Sequence, residues 1–113
     1  MVIELKSLFS LQLAKDEAPK SPDCCLVCVM ADIGVKGKEG SDQFNFYVVT
    51  PKYLLNNSEV RWGRGYLLMP EFSWETIKKM VENITSTVCA DNWEEAAEQL
   101  CKYFEWEFEN YQP

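Results

Sequence analysis

Residues 3 to 13 place Ile3, Leu5, Phe9, Leu11 and Leu13 on one side and Glu4, Lys6, Ser10 and Gln12 on the other. A period of two predicts a half-buried β-strand, with Ser7 and Leu8 breaking the pattern. The polar stretch KDEAPKSPD, residues 15 to 23, reads as a loop with two prolines. CCLVCVMADIGV follows and is almost wholly apolar, as expected of a central strand covered on both faces. GKEGS, residues 37 to 41, has the composition of a hairpin connection, and QFNFYVVT reads as a third strand. Thr50-Pro51 predicts a short helical turn over KYLL, because proline suits the first helical position. Asn56 to Gly65 reads as a loop ending in RWGRG, and YLLM as a short fourth strand.

Beyond Phe72 the period changes to that of a helix. Ser73 is a natural N-cap, and Ile77, Met80, Val81, Ile84 and Val88 recur at three- and four-residue spacing. Asp91, with Glu94 three residues later, reads as a capping box that starts a second helix running from about Trp93 to Asn110. Its stripe would comprise Trp93, Ala97, Leu100, Phe104, Phe108 and Tyr111. A meander followed by two helices predicts an α+β fold. We expect an antiparallel meander sheet of about four strands, two C-terminal helices packed on one face, and a single domain over residues 1–113.

Composition narrows the functional classes. At 113 residues, 47% hydrophobic and 26% charged, the chain has the make-up of one ordinary globular domain. Its net charge of −7 argues against nucleic acid or an anionic membrane as a direct partner, since both present phosphates that require Lys and Arg. The charge is uneven: from Asp91 onward there are seven acids against Lys102 alone. No apolar run is long enough for a membrane-spanning helix, and MVIELKSLF alternates rather than forming a leader's continuous apolar core. With no export signal, the five cysteines are expected to be reduced thiols in a cytoplasmic protein.

The candidate chemistry is sparse. There is no histidine, which removes the usual general base near neutral pH and the commonest zinc ligand. Glu94 and Glu98, or Glu105 and Glu109, lie one helical turn apart, a spacing more typical of a solvated face than of carboxylates flanking a cleft. On a strand Cys24 and Cys28 point one way and Cys25 the other, so the three cannot share one ion; no metal and no cofactor are expected. RWGRG reads as a glycine turn with Trp62 covering the core edge rather than as an RNA-binding segment. Tyr103 and Trp106 lie off the helical stripe among glutamates. They read either as interface anchors or as rings packed under a sheet edge or loop.

The run WGRG, carried here by Trp62, Gly63 and Gly65, precedes a second cluster of Trp93, Glu94, Leu100, Tyr103, Trp106, Glu107, Phe108 and Tyr111. Together, over residues 62 to 111, they resemble the immunity protein 8 family. These are small bacterial proteins that neutralise the C-terminal domains of polymorphic and contact-dependent inhibition toxins. The resemblance implies a non-enzymatic inhibitor that binds one cognate toxin domain in the cytoplasm of the toxin producer. The acidic balance adds a basic nuclease as the expected toxin. The expected contacts are Glu98, Glu105 and Glu109, with Tyr103 and Trp106 as anchors. The rival readings are a general acidic adaptor of a cytoplasmic complex and, behind it, a carboxylate-dependent enzyme. That enzyme would need Asp32 or Glu71 to converge on the helix glutamates.

Overall fold

A computed structural model describes residues 1–59 and 63–109. Three long strands come first: β1 (Ile3–Phe9), β2 (Leu26–Val35) and β3 (Asp42–Val49), each antiparallel to the next. The short helix α1 (Pro51–Asn56) leads toward β4 (Tyr66–Leu68), and the helices α2 (Trp74–Thr87) and α3 (Trp93–Leu100) follow. A two-residue strand, β5 (Glu105–Trp106), ends the order. The α+β fold expected from the sequence is the one found: a mostly antiparallel sheet with two C-terminal helices.

Local chemistry accounts for most of these boundaries. The break at Ser7 and Leu8 is a register shift between Leu5 and Ser7, which brings Leu8 opposite Ala31 and turns Phe9 to face the same way as Met30. Leu11, expected on the buried side of the strand, lies beyond it and is exposed. Gly34 allows the hairpin to close, because a Cβ there would run into the Gly40 carbonyl oxygen. Thr50 caps α1 ahead of Pro51, and its buried hydroxyl also accepts a hydrogen bond from the Cys25 N–H at 3.0 Å. Ser73 caps α2 as expected, which buries Ile77 and Val81 but leaves Met80 exposed.

The core lies between the helices and one face of the sheet. Val27, Val29, Ala31 and Ile33 from β2 and Phe44, Phe46 and Val48 from β3 meet Ile77, Val81, Ala96, Ala97 and Leu100. Residues between these along β2, namely Leu26, Cys28, Met30 and Asp32, are only half-buried. The expectation that β2 is covered on both faces is therefore corrected: α2 and α3 cover one.

Three further expectations change. The fourth strand does not continue the meander, because β4 runs parallel to β3, reached through α1. The helix N-cap is Asn92, whose Oδ1 accepts from the Glu95 N–H at 3.0 Å while the Glu95 carboxylate accepts from the Asp91 N–H at 3.1 Å. The capping pair is thus shifted one residue from Asp91 and Glu94. Finally, α3 ends at Leu100, and the chain turns so that Glu105 and Trp106 pair antiparallel with Asn45 and Phe44. β4 and β5 thereby share one edge of β3, β4 along Tyr47 to Val49 and β5 along Phe44 and Asn45.

Candidate functional site

The C-terminal aromatic cluster is built around β3. Trp106 stacks on Phe44 with ring centroids 6.2 Å apart and planes 10° from parallel, and Trp93 and Phe104 meet the same ring edge-on. Both indoles turn their N–H to one carboxylate. Trp93 donates to Asp42 Oδ2 at 2.6 Å and Trp106 donates to the same oxygen at 3.0 Å. Glu107 seals the junction, its backbone N–H donating to the Gln43 carbonyl and its Oε1 accepting from the Gln43 N–H. Two widely separated tryptophans of the motif thus hold the sheet edge to α3, which makes them structural.

Arg64 is a second tie. Its guanidinium donates to the carbonyls of Cys101 (2.9 Å) and Phe104 (3.1 Å) and clasps both carboxylate oxygens of Glu109, at 3.1 and 2.7 Å. Occupying those two carbonyls fixes the turn that follows α3. The hydrogen bond from Arg64 holds the Glu109 carboxyl below its ordinary range, and the same bond raises Arg64. Gly65, next in the chain, has φ +82°, as the turn reading of this stretch requires. Trp62, expected to cover the core edge, and Tyr111, expected on the helical stripe, lie outside the described residues.

The five expected contact residues therefore do not share one helix face. Glu98 is exposed on α3, and Tyr103 is 51% exposed in the turn beyond it. Glu105 is exposed on β5. Trp106 is half-buried against Phe44, the packed alternative rather than the free anchor, and Glu109 is held by Arg64. Phe108, expected in the core, is 42% exposed and meets Trp106 edge-on. Tyr103 borders an apolar groove of about 460 Å³ with Leu67, Met80 and Ile84, and Lys102 and Arg64 also line it.

The sheet face turned away from the helices carries the surface that sequence reading missed. Strand register orders it in rows. Leu26, Val49 and Leu68 form the first, and Cys28, Tyr47 and Tyr66 the second, with the two tyrosine rings stacked at 5.3 Å. Phe9, Met30, Asn45 and Glu105 form the third, and Ser7, Asp32 and Gln43 the fourth. The face thus grades from apolar to acidic. Val49, although buried, stands apart from the main core and lines a small cleft with Tyr53 and Leu54 of α1, which closes that end of the face. In the acidic rows Asp32 accepts the Ser7 hydroxyl at 2.6 Å. The signal in the sequence was the apolar run of β2, which is apolar on the second face as well.

All five thiols are unbridged, and burial pushes Cys25, Cys28 and Cys101 upward, with Glu105 adding to the rise at Cys28 and Glu109 at Cys101. Among the described residues no three His, Cys, Asp or Glu side chains converge to hold a metal ion. Nor is any described helix long and apolar enough to cross a membrane.

A small α+β scaffold with a partly apolar, acid-edged sheet face has the features of a protein that binds another protein. The comparison with known families sharpens this. The immunity protein 8 profile matches residues 3–111, nearly the whole chain, and the chain belongs to that family. It is accordingly an immunity protein, acting against a toxin. The match extends well past the C-terminal motifs to include β1, β2 and β3. No curated protein and no solved structure matches the chain.

Proposed function

We propose that this chain, acting as one domain, binds the basic C-terminal domain of a single cognate toxin in the producer's cytoplasm and silences it without catalysing a reaction. A nuclease is the toxin class that best fits. An enzyme that handles phosphates carries cations at its active site, and these would be complementary to an inhibitor of net charge −7. That charge, in a member of an immunity family, is the observation that carries the reading. Of the five residues expected to touch the toxin, Glu98, Tyr103 and Glu105 remain exposed for that role, while Trp106 and Glu109 serve the fold.

The test uses the toxin domain encoded by the gene adjoining this one. Co-production of this chain should restore growth to cells making that domain. Stopped-flow mixing of the purified proteins should show association that slows steeply between low and high salt. An adjoining gene that encodes no toxin would point instead to a general adaptor. A toxin that binds at a salt-independent rate would exclude the electrostatic part of the proposal.

A further inference from the structure

We propose that the sheet face turned away from α2 and α3 is the surface that receives the toxin, and that its occupant is a cationic segment of the toxin domain carrying an apolar side chain beside its Lys or Arg. The inference rests on the immunity reading above and adds the surface and the chemistry of the contact.

Two observations lead here. First, β2 is apolar on both faces, a pattern typical of strands covered on both sides, yet α2 and α3 cover only one. Met30 at mid-strand is left half-buried, and Leu68 on β4 is 60% exposed. Apolar surface of this kind, edged by polar groups, marks a site for another macromolecule. Second, the charges on the face do not cancel. Lys6 is paired with Glu4 at 2.8 Å, Lys52 with Asp23 at 2.9 Å and Arg64 with Glu109 at 2.7 Å. Among the described residues, Asp32 and Glu105 carry no ion pair, and Arg64, which attracts Glu105 through space, is already bound to Glu109, so these rows keep uncompensated carboxylates.

The rival surface has the wrong charge. The groove beside Tyr103 is apolar, but Lys102 borders it and Arg64 there is already paired with Glu109, so it offers a basic occupant no spare carboxylate. On the outer sheet face a partner's aliphatic or aromatic group would cover Met30 and Leu68. Its ammonium or guanidinium groups would meet Asp32 and Glu105. Burial of the apolar centre would set the lifetime of the complex, and the carboxylates would set its rate of formation.

The experiment measures association and dissociation of the adjoining-gene toxin domain with the full chain and its variants, each first checked for unchanged melting. Glu105→Lys combined with Asp32→Asn should slow association about tenfold at low salt, and the gap should narrow at high salt. Leu68→Lys should speed dissociation about tenfold. Glu82→Lys makes the same charge change as Glu105→Lys, but on the exposed side of α2, across the sheet, and should leave both rates within about twofold of the parent. Hydroxyl-radical footprinting of the parental complex gives a reading that needs no variant: Met30 and Leu68 should become shielded while Met80 on α2 does not. A complex that forms at parental rates with the sheet-face variants, or that leaves Met30 and Leu68 as reactive as before, overturns the proposal and leaves the immunity reading intact. If the parental chain does not bind the toxin at all, the immunity reading itself fails and this proposal falls with it.

Discussion

Asp42 is the point at which the C-terminal cluster is most open to test. Its Oδ2 accepts both indole N–H groups, from Trp93 at 2.6 Å and Trp106 at 3.0 Å. A hydrogen bond to a charged group contributes about 1.5–3 kcal/mol net, and the half-exposed position of Asp42 puts each of these toward the low end. Asp42→Ala should therefore cost about 2–4 kcal/mol, because both donors are lost to the same substitution. Asp42→Asn keeps an acceptor of the same shape but no charge, and should cost about 1–2 kcal/mol. Urea unfolding, followed by tryptophan fluorescence and by circular dichroism, reads the effect directly. With a slope of about 2 kcal/mol/M, the middle of the range for small proteins, the alanine variant's midpoint should fall by about 1–2 M. A cycle pairing Asp42→Ala with Trp106→Phe isolates the indole bond, and coupling above about 0.5 kcal/mol is expected for groups in contact. If Asp42→Ala stays within about 0.5 kcal/mol of the parent, or the cycle is additive, the shared carboxylate does not hold the cluster together.

Three other predictions concern the same scaffold. Phe104, 3% exposed between Phe44 and Phe46, should cost about 3–5 kcal/mol when cut to alanine, measured by the same unfolding curves; a smaller loss would mean that the turn after α3 collapses onto the cavity. Arg64 holds the Glu109 carboxyl below its ordinary value of 4.5, so the pair's stabilisation is complete above that pH and is lost as pH falls through the lowered value. The stability gap between the parent and Glu109→Gln should therefore close on acidification below about pH 4.5, and a gap that widens there would contradict the ion pair. Of the thiols, Cys89 is exposed and should react first with a disulfide reagent at pH 8, while buried Cys25, its thiol raised by desolvation, should react last; mass mapping of the modified peptides decides the order.

The parts of the fold legible in the sequence are those in which one local signal had one meaning. Thr50-Pro51 and Ser73 set their helices as read, and the alternation of β1 survives apart from a bulge that the sequence showed as a break. The segment from Phe104 to Glu109 had two meanings. Phe-Glu-Trp-Glu-Phe-Glu alternates strictly, yet Phe104 and Phe108 also continue the helical stripe of Leu100. The open edge of β3 settled the ambiguity: pairing Glu105 with Asn45 satisfies backbone groups that a longer helix would leave unpaired on that strand. The contact residues shifted for the same reason, because a strand sends Glu105 and Trp106 to opposite faces while a helix would have kept them on one flank. Arg64 was beyond reach, since nothing local to a glycine turn signals that its side chain will clasp carbonyls some forty residues later.

The separation of roles that results bears on how an immunity protein fits its toxin. Several of the side chains that carry the family resemblance face inward or tie the chain to itself: Trp93 and Trp106 meet at Asp42, Leu100 is buried, and Glu107 pairs with Gln43. The outward rows of the sheet take little part in that framework. Met30, Asp32, Leu68 and Glu105 alternate with core residues on the same strands, so each has a backbone fixed by the core and a side chain largely independent of it. Substitution at such positions changes shape and charge on the face while the pairing that supports it stays in place. With the sheet face proposed above as the contact, such a scaffold could meet different toxins without losing its framework. Family membership identifies the task of the chain without identifying its partner.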